Sequence, residues 1–315
     1  MLQSIIGNRS AVSLLQAHAS GGLQSSYIFY GPEGVGRHHT ALQLFRQVSC
    51  TEDRTPECTC RSCQQFSRGT SRDLIEVTTS KLSYGVDEIR RVKEQAYEYP
   101  ESAPYKMFVF RDGPSFTDQA ANGLLKLLEE GPSYVVCVFV LQSPDEILST
   151  IQSRSVEVQF DLAEIDEVYT YLQTLSDNAE MLRVCANLSQ GSVGRAVSYL
   201  RDGKLHERGE VTKLLTQWDK VPLHRALRFG REHADKADLL RSIVTDLLIL
   251  KQGLRHHITH VDLQSELQSI SSQIPEPKLL ALSHNLNKFH REKHLFQSNA
   301  SRHFVTTLMR SVKSK

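Results

Sequence analysis

Nowhere in these 315 residues is there an apolar run of the ~20 residues that a membrane helix requires. The opening residues, Met1-Leu-Gln-Ser-Ile-Ile-Gly7, lack the basic stretch and long apolar core of a secretory leader. A cytoplasmic chain without a membrane partner is therefore expected. Neither sign of charge dominates, with 37 Lys and Arg against 36 Asp and Glu. That balance removes the overall basic footprint of a nucleic-acid binder and leaves room only for local patches. Internal repeats and low-complexity tracts are missing as well. Tryptophan occurs once, at Trp218, and is most simply a core residue. Six cysteines in a reducing compartment are expected to be metal ligands or core residues rather than disulfides.

What is present is ordinary in bulk and specific in places. The chain is 40% apolar and 23% charged, and long enough for two or three domains. Its organising stretch is Gly31-Pro-Glu-Gly-Val-Gly-Arg-His-His-Thr40, after the apolar run Tyr27-Ile-Phe-Tyr30 and before a helical pattern, Ala41-Leu-Gln-Leu-Phe45. Strand, glycine-rich turn and helix are the setting of a phosphate-binding loop, whose backbone N–H groups face an anion at a helix N-terminus. The working loop reads G-x-x-x-x-G-K-[ST]. Gly31, Gly34 and Gly36 keep the frame, but Arg37 replaces the lysine and His38 the hydroxyl residue. Arg37 still offers a cation to a phosphate, as a planar fork rather than a point charge. His38 offers Mg²⁺ no hard oxygen. The loop reads as a fold element stripped of its metal chemistry.

Cys50, Cys58, Cys60 and Cys63 form a compact group containing a Cys-x-x-Cys step. Four thiolates so spaced suit a structural zinc site; the competing reading is a cluster of free thiols. Cys137, in a continuous apolar run, and Cys185, in a helical one, read as core.

Strands are expected at Asp73–Val77, Lys106–Phe110, Tyr134–Leu141 and Val156–Phe160, alternating with helices at Val86–Ala96, Gln119–Glu130 and Pro144–Ile151. That alternation predicts a parallel α/β sheet buried on both faces. After Lys106–Phe110 a P-loop ATPase places the acids that hold Mg²⁺ and polarise water. Here Arg111 stands first, and Asp112 second, where beside Arg111 and without a metal it has little to catalyse and reads as a turn residue before Gly113-Pro114. Beyond Asp161 the pattern becomes all-helical: Ile165–Leu172, Met181–Leu188, Gly191–Val197, Val211–Trp218, Leu239–Leu250 and Leu279–Leu286. His256, His257 and His260 lie in a polar connector and read as solvated rather than metal-bound. The tail from Lys288 to Lys315 holds seven Lys and Arg against Glu292 alone, and reads as a solvated helical face unless it touches DNA phosphates.

Ile6-Gly7, Tyr30–Gly36, the cysteine insertion, Asn122-Gly-Leu-Leu-Lys-Leu-Leu-Glu-Glu130 and Ile151-Gln-Ser-Arg154 together resemble the AAA+ subunits of the bacterial replicative clamp loader. The resemblance covers the whole chain and is specific up to about residue 200. It implies an AAA+ α/β domain over 1–161 with a zinc module at about 50–63, a small helical lid over 162–203 and a helical collar over 204–315. It also implies that Arg154, in Ser153-Arg154-Ser155 where the family has Ser-Arg-Cys, acts as an arginine finger on ATP held by a neighbouring subunit. Arg195 would be the lid's nucleotide sensor, and Gly31, Gly34, Gly36 and Arg37 a vestigial nucleotide site. The family's zinc module has two Cys-x-x-Cys steps; the first is one residue shorter here.

The expected function is accordingly a non-hydrolysing stator in a hetero-pentamer with gamma/tau-type motor subunits and a delta-type subunit. That complex loads the sliding clamp on primed DNA. Two alternatives stand beside it: an active P-loop ATPase, as motor subunit or helicase loader, and a zinc-dependent nucleic-acid-binding module, against which the balanced charge speaks.

Overall fold

The computed structural model describes residues 1–79, 83–111, 115–201, 204–216 and 237–292. Asp112, Trp218 and the tail beyond Glu292 lie outside the described residues. The chain divides into two compact units: Met1–Tyr171 with Gly191–Arg195, and Leu172–Gln190 with Ala196–Lys315.

Among the described residues the first unit has seven strands: β1 (Ser26–Tyr30), β2 (Leu74–Val77), β3 (Ser83–Tyr84), β4 (Lys106–Phe110), β5 (Ser115–Phe116), β6 (Val135–Leu141) and β7 (Val156–Gln159). Five form a parallel sheet in the order β2-β4-β6-β1-β7; β3 and β5 form a separate parallel pair. Parallel strands need crossovers; α1 (Arg9–Gly21) precedes β1, and α2 (Arg37–Ser49), α3 (Arg61–Ser67), α4 (Val86–Ala96), α5 (Asp118–Glu130) and α6 (Ser149–Gln152) supply helical connections, with α7 (Ile165–Leu172) following β7.

Strand alternation divides the core between the two faces. Tyr27, Phe29, Met107, Val109, Val136, Val138 and Val158 cluster with Leu15 of α1 and with Ala41, Leu44 and Phe45 of α2. Ile28, Phe108, Phe110, Cys137 and Phe139 cluster with Ile89 and Val92 of α4 and with Leu124 and Leu127 of α5. Both faces are dry, which is why these strands read as continuous apolar runs. Cys137 and Cys185 are fully buried, as expected of core residues. At the amino end of β4, the carboxylate of fully buried Asp73 accepts the backbone N–H groups of Glu101, Ser102 and Ala103 at 2.8, 2.8 and 3.0 Å. It fixes the proline-flanked turn that enters the sheet.

One expectation for this unit needs correction. Pro144–Ile151 is not one helix but a 3₁₀ turn, Pro144–Glu146, capped by the Ser143 hydroxyl, and then α6. Ile147 between them is extended and buried, so a core contact overrides helix continuation. The β3–β5 pair was not anticipated; Tyr84 and Phe116 stack at 5.1 Å and give these two-residue strands their packing.

The second unit is helical. α8 (Ala179–Ser189), the greater part of α9 (Val193–Arg201) and α10 (Arg208–Thr216) precede the helices Ala237–Lys251, Gln264–Gln273 and Glu276–Glu292. Leu240, Ile243, Val244 and Leu247 are fully buried, with Leu267 and Leu279. The connector after Lys251 is not the solvated stretch expected at its far end. His256 and His257 are exposed, but His260 is fully buried. The cause is Asp246, itself buried, which accepts the N–H groups of Thr259 at 2.9 Å and His260 at 2.8 Å and draws the chain inward. Burial, together with the nearby Arg208 cation, lowers the His260 pKa to about 3. Arg208 holds Asp262 with two bonds of 2.8 and 2.7 Å.

Candidate functional site

The glycine-rich loop leaves β1 and enters α2 through Gly31, Gly34 and Gly36, with φ of +141°, +78° and +98°. At Gly34 both conformation and space exclude a side chain: an added Cβ would lie 2.3 Å from Ser192 Oγ. Ser192 belongs to the Gly191–Arg195 segment, which packs directly on this loop. Gly194 N donates to Gly34 O at 2.8 Å and Ser192 Oγ to Glu33 O at 3.0 Å. Arg195 is therefore brought to the loop, with its side chain exposed.

The three altered positions are each engaged within the unit. Arg37 is buried and its Nη1 donates to the carbonyl of Leu141, at the carboxyl end of β6. Burial lowers its pKa, while Glu146 and Glu33 pull it back up. His38 Nε2 lies 2.7 Å from Glu76 Oε2, and Arg111 Nη1 lies 3.3 Å from the same oxygen. Glu76 thus joins the residue in the hydroxyl position to the residue in the acid position. Where a magnesium site would need a hydroxyl and a carboxylate, the chain places an imidazole, a guanidinium and one carboxylate already shared between them.

Arg154 differs. It lies between α6 and β7 with its side chain 42% exposed. Its Nε and Nη2 lie 2.7 and 2.5 Å from Glu129 Oε1 on α5, and its Nη1 donates to Thr150 O at 2.9 Å. The next residue is anchored to the sheet: Ser155 Oγ lies 2.6 Å from Ser26 Oγ of β1. The serine that departs from the family's cysteine thus has a buried hydroxyl partner.

Cys50, Cys58, Cys60 and Cys63 converge as expected. All four are buried and their sulfurs lie within 4.8 Å of one another. Cys50 Sγ is 3.5 Å from Cys58 Sγ and 4.0 Å from Cys60 Sγ. Burial alone would raise the Cys60 thiol, but the N–H groups of Cys63 and Thr51 outweigh it and bring the pKa to about 6. Burial pushes Cys63 up to about 12 against the pull of Arg46.

Glu76, Glu129, Ser26 and Arg46 were not singled out from the sequence. A glutamate inside the apolar strand Leu74-Ile-Glu-Val77 was the one available signal.

The family described as DNA polymerase III, delta subunit, matches residues 7–164, half of the chain. The chain belongs to that family. Its C-terminal counterpart, described as DNA polymerase III, delta subunit, C terminal, matches residues 205–302. The chain is 24% identical to DNA polymerase III subunit tau of Bacillus subtilis over 92% of its own length and 58% of that protein's. It is 27% identical to subunit delta' of the same organism, over 80% of this chain and 83% of that one. Among solved structures, a DNA polymerase III gamma-subunit-related protein from Thermotoga maritima covers 90% of this chain and is covered to 98%, at 18% identity and a TM-score of 0.40. Among the described residues no helix is long and apolar enough to cross a membrane.

Proposed function

We propose that this chain is the stator of a replicative clamp loader: it hydrolyses no ATP and presents Arg154 to ATP held by a neighbouring gamma/tau-type motor subunit. A delta-type subunit completes the pentamer that loads the sliding clamp on primed DNA. The observation that carries this reading is how the cations at the glycine loop are used. Arg37 is buried on the carbonyl of Leu141, and His38 and Arg111, both partly exposed, share the one carboxylate of Glu76. Arg154 is partly exposed as well, and its partner is the surface carboxylate of Glu129.

A positioned guanidinium stabilises the charge that develops on a transferring phosphoryl group, and such fingers contribute about 10³–10⁵ in rate. Glu129 and the Ser26–Ser155 pair hold Arg154 in place before a partner arrives, which lowers the ordering cost of docking. An exposed ion pair of this kind is worth only about 0–1 kcal/mol, so a nucleotide phosphate displaces Glu129 readily. On this reading Arg37 ties α2 to β6, and the Gly191–Arg195 segment packs on the loop of Gly31, Gly34 and Gly36.

The cysteines suit zinc. Four ligands at about 2.3 Å in a tetrahedron put their sulfurs ~3.8 Å apart, between the 3.5 and 4.0 Å of two pairs here, all four sulfurs lying within 4.8 Å of one another. Bound there, zinc would act as a crosslink between α2 and α3 and take no part in catalysis.

The test is Arg154→Ala in the reconstituted complex. Assembly by size-exclusion chromatography should be unchanged, while ATP turnover at the site it serves falls by ~10³. Wild-type turnover would remove the finger role.

A further inference from the structure

The four cysteines come from three stretches of chain: the end of α2 (Cys50), the loop after it (Cys58 and Cys60) and α3 (Cys63). One residue touches all three stretches. Arg46, one helical turn before Cys50, accepts the Cys50 N–H at its carbonyl, at 3.1 Å. Its Nη2 donates to Pro56 O at 2.6 Å, two residues before Cys58. Its guanidinium carbon lies 5.6 Å from the centre of the Phe66 ring, one turn beyond Cys63. Arg46 Nε is nevertheless buried and has no hydrogen-bond partner among the described residues.

A buried donor left unpaired costs about 1–3 kcal/mol, and more when charged. A thiol sulfur satisfies it poorly; a metal-bound thiolate satisfies it well, since charge assistance strengthens the bond. Four thiolates around one divalent ion carry a net charge of 2−, and Glu52 Oε2, 3.9 Å from Cys58 Sγ, adds to the negative field. A cation at this place answers both deficits. It must also be planar, because the same group stacks on Phe66 and reaches Pro56.

We propose that Arg46 is the outer charge partner of a metal site formed by Cys50, Cys58, Cys60 and Cys63, donating to the metal-bound sulfurs while it ties together the three segments that carry them. The proposal rests on the metal reading above. Arg46 is a positioning residue, and its effect falls on metal affinity and exchange rather than on any reaction. Partners of this kind contribute about 10–100-fold in metal affinity.

The experiment uses the full chain loaded with zinc. Zinc content is measured by mass spectrometry, followed by the rate of zinc transfer to a chromophoric chelator. Wild type should hold one zinc per chain. Arg46→Met keeps an apolar stem against Phe66 and should release zinc about 10–100-fold faster. Arg46→Lys keeps the charge, loses the fork, and should fall between the two. If the Met variant does not fold, the Lys variant still decides: a wild-type rate there overturns the role of the fork. A Met variant releasing zinc within about twofold of wild type would overturn the proposal, since it predicts at least tenfold. A wild-type chain that takes up neither zinc nor cadmium overturns the metal reading itself and the proposal with it.

Discussion

The carboxyl end of β1 and the amino end of β7 belong to neighbouring strands and place their cations differently. After β1, Arg37 is folded against Leu141, and His38 and Arg111 share Glu76. Before β7, Arg154 stands exposed, supported by a surface carboxylate and a neighbouring hydroxyl pair. If the loop is relieved of its ligand, as proposed, its buried cation must be satisfied from within, because a buried unpaired group is costly. A site that serves another protein must leave its group accessible and merely keep it oriented.

The contrast is sharpest in the assembled complex. Arg154→Lys keeps the charge but loses the bidentate fork. Turnover at the served site should stay depressed by ~10² or more, read by single-turnover hydrolysis. Recovery to the wild-type rate would mean that charge alone suffices.

The helical unit supplies a control, because its buried histidine concerns stability and not nucleotide. His260 has a folded pKa of about 3 against ~6.5 unfolded. The unfolded chain therefore binds the extra proton between these values, so stability is fully present above pH ~6.5 and is lost as pH falls towards 3. Buried Asp246, its pKa raised by burial, works in the opposite sense. The measurement is accordingly the difference in denaturation midpoint between wild type and His260→Gln from pH 7 to 4. The wild type should show the steeper acid loss, of several kcal/mol. Parallel curves would contradict the buried neutral imidazole.

If the glycine loop is now scaffolding, its substitution should cost stability. Gly34→Val forces a β-branched residue to φ +78° and against Ser192 Oγ. A loss of about 2–3 kcal/mol is expected in chemical denaturation. An unchanged midpoint would mean that the loop is loose rather than packed. Least affected should be Arg111→Ala, which removes one partner of an exposed carboxylate and should change stability by under ~1 kcal/mol. It should also restore no nucleotide binding.

How much of this was legible in the sequence depended on whether the cause was local. Lys106–Phe110 announced a strand because both of its faces are buried, and the cysteines announced their convergence by spacing. Arg154 is a proposal drawn from a motif resemblance, Ile151-Gln-Ser-Arg154. Glu76, Glu129 and Arg46 could not be named from the sequence, because their meaning comes from strand register and from helices brought together by the fold. His260 was misjudged for the same reason: the polar connector around it gives no hint that Asp246, fourteen residues earlier, captures its backbone. The break at Ile147 likewise reflects a core contact that propensity does not record.

The most direct measurement is calorimetric titration of the isolated chain with magnesium ATP, at concentrations up to those found in cells. A loop whose cations are committed to Leu141 and Glu76 should give no saturable heat and release no phosphate. Saturable binding, with or without turnover, would mean that Arg37 still serves a triphosphate and that the two ends of this sheet are not divided as described.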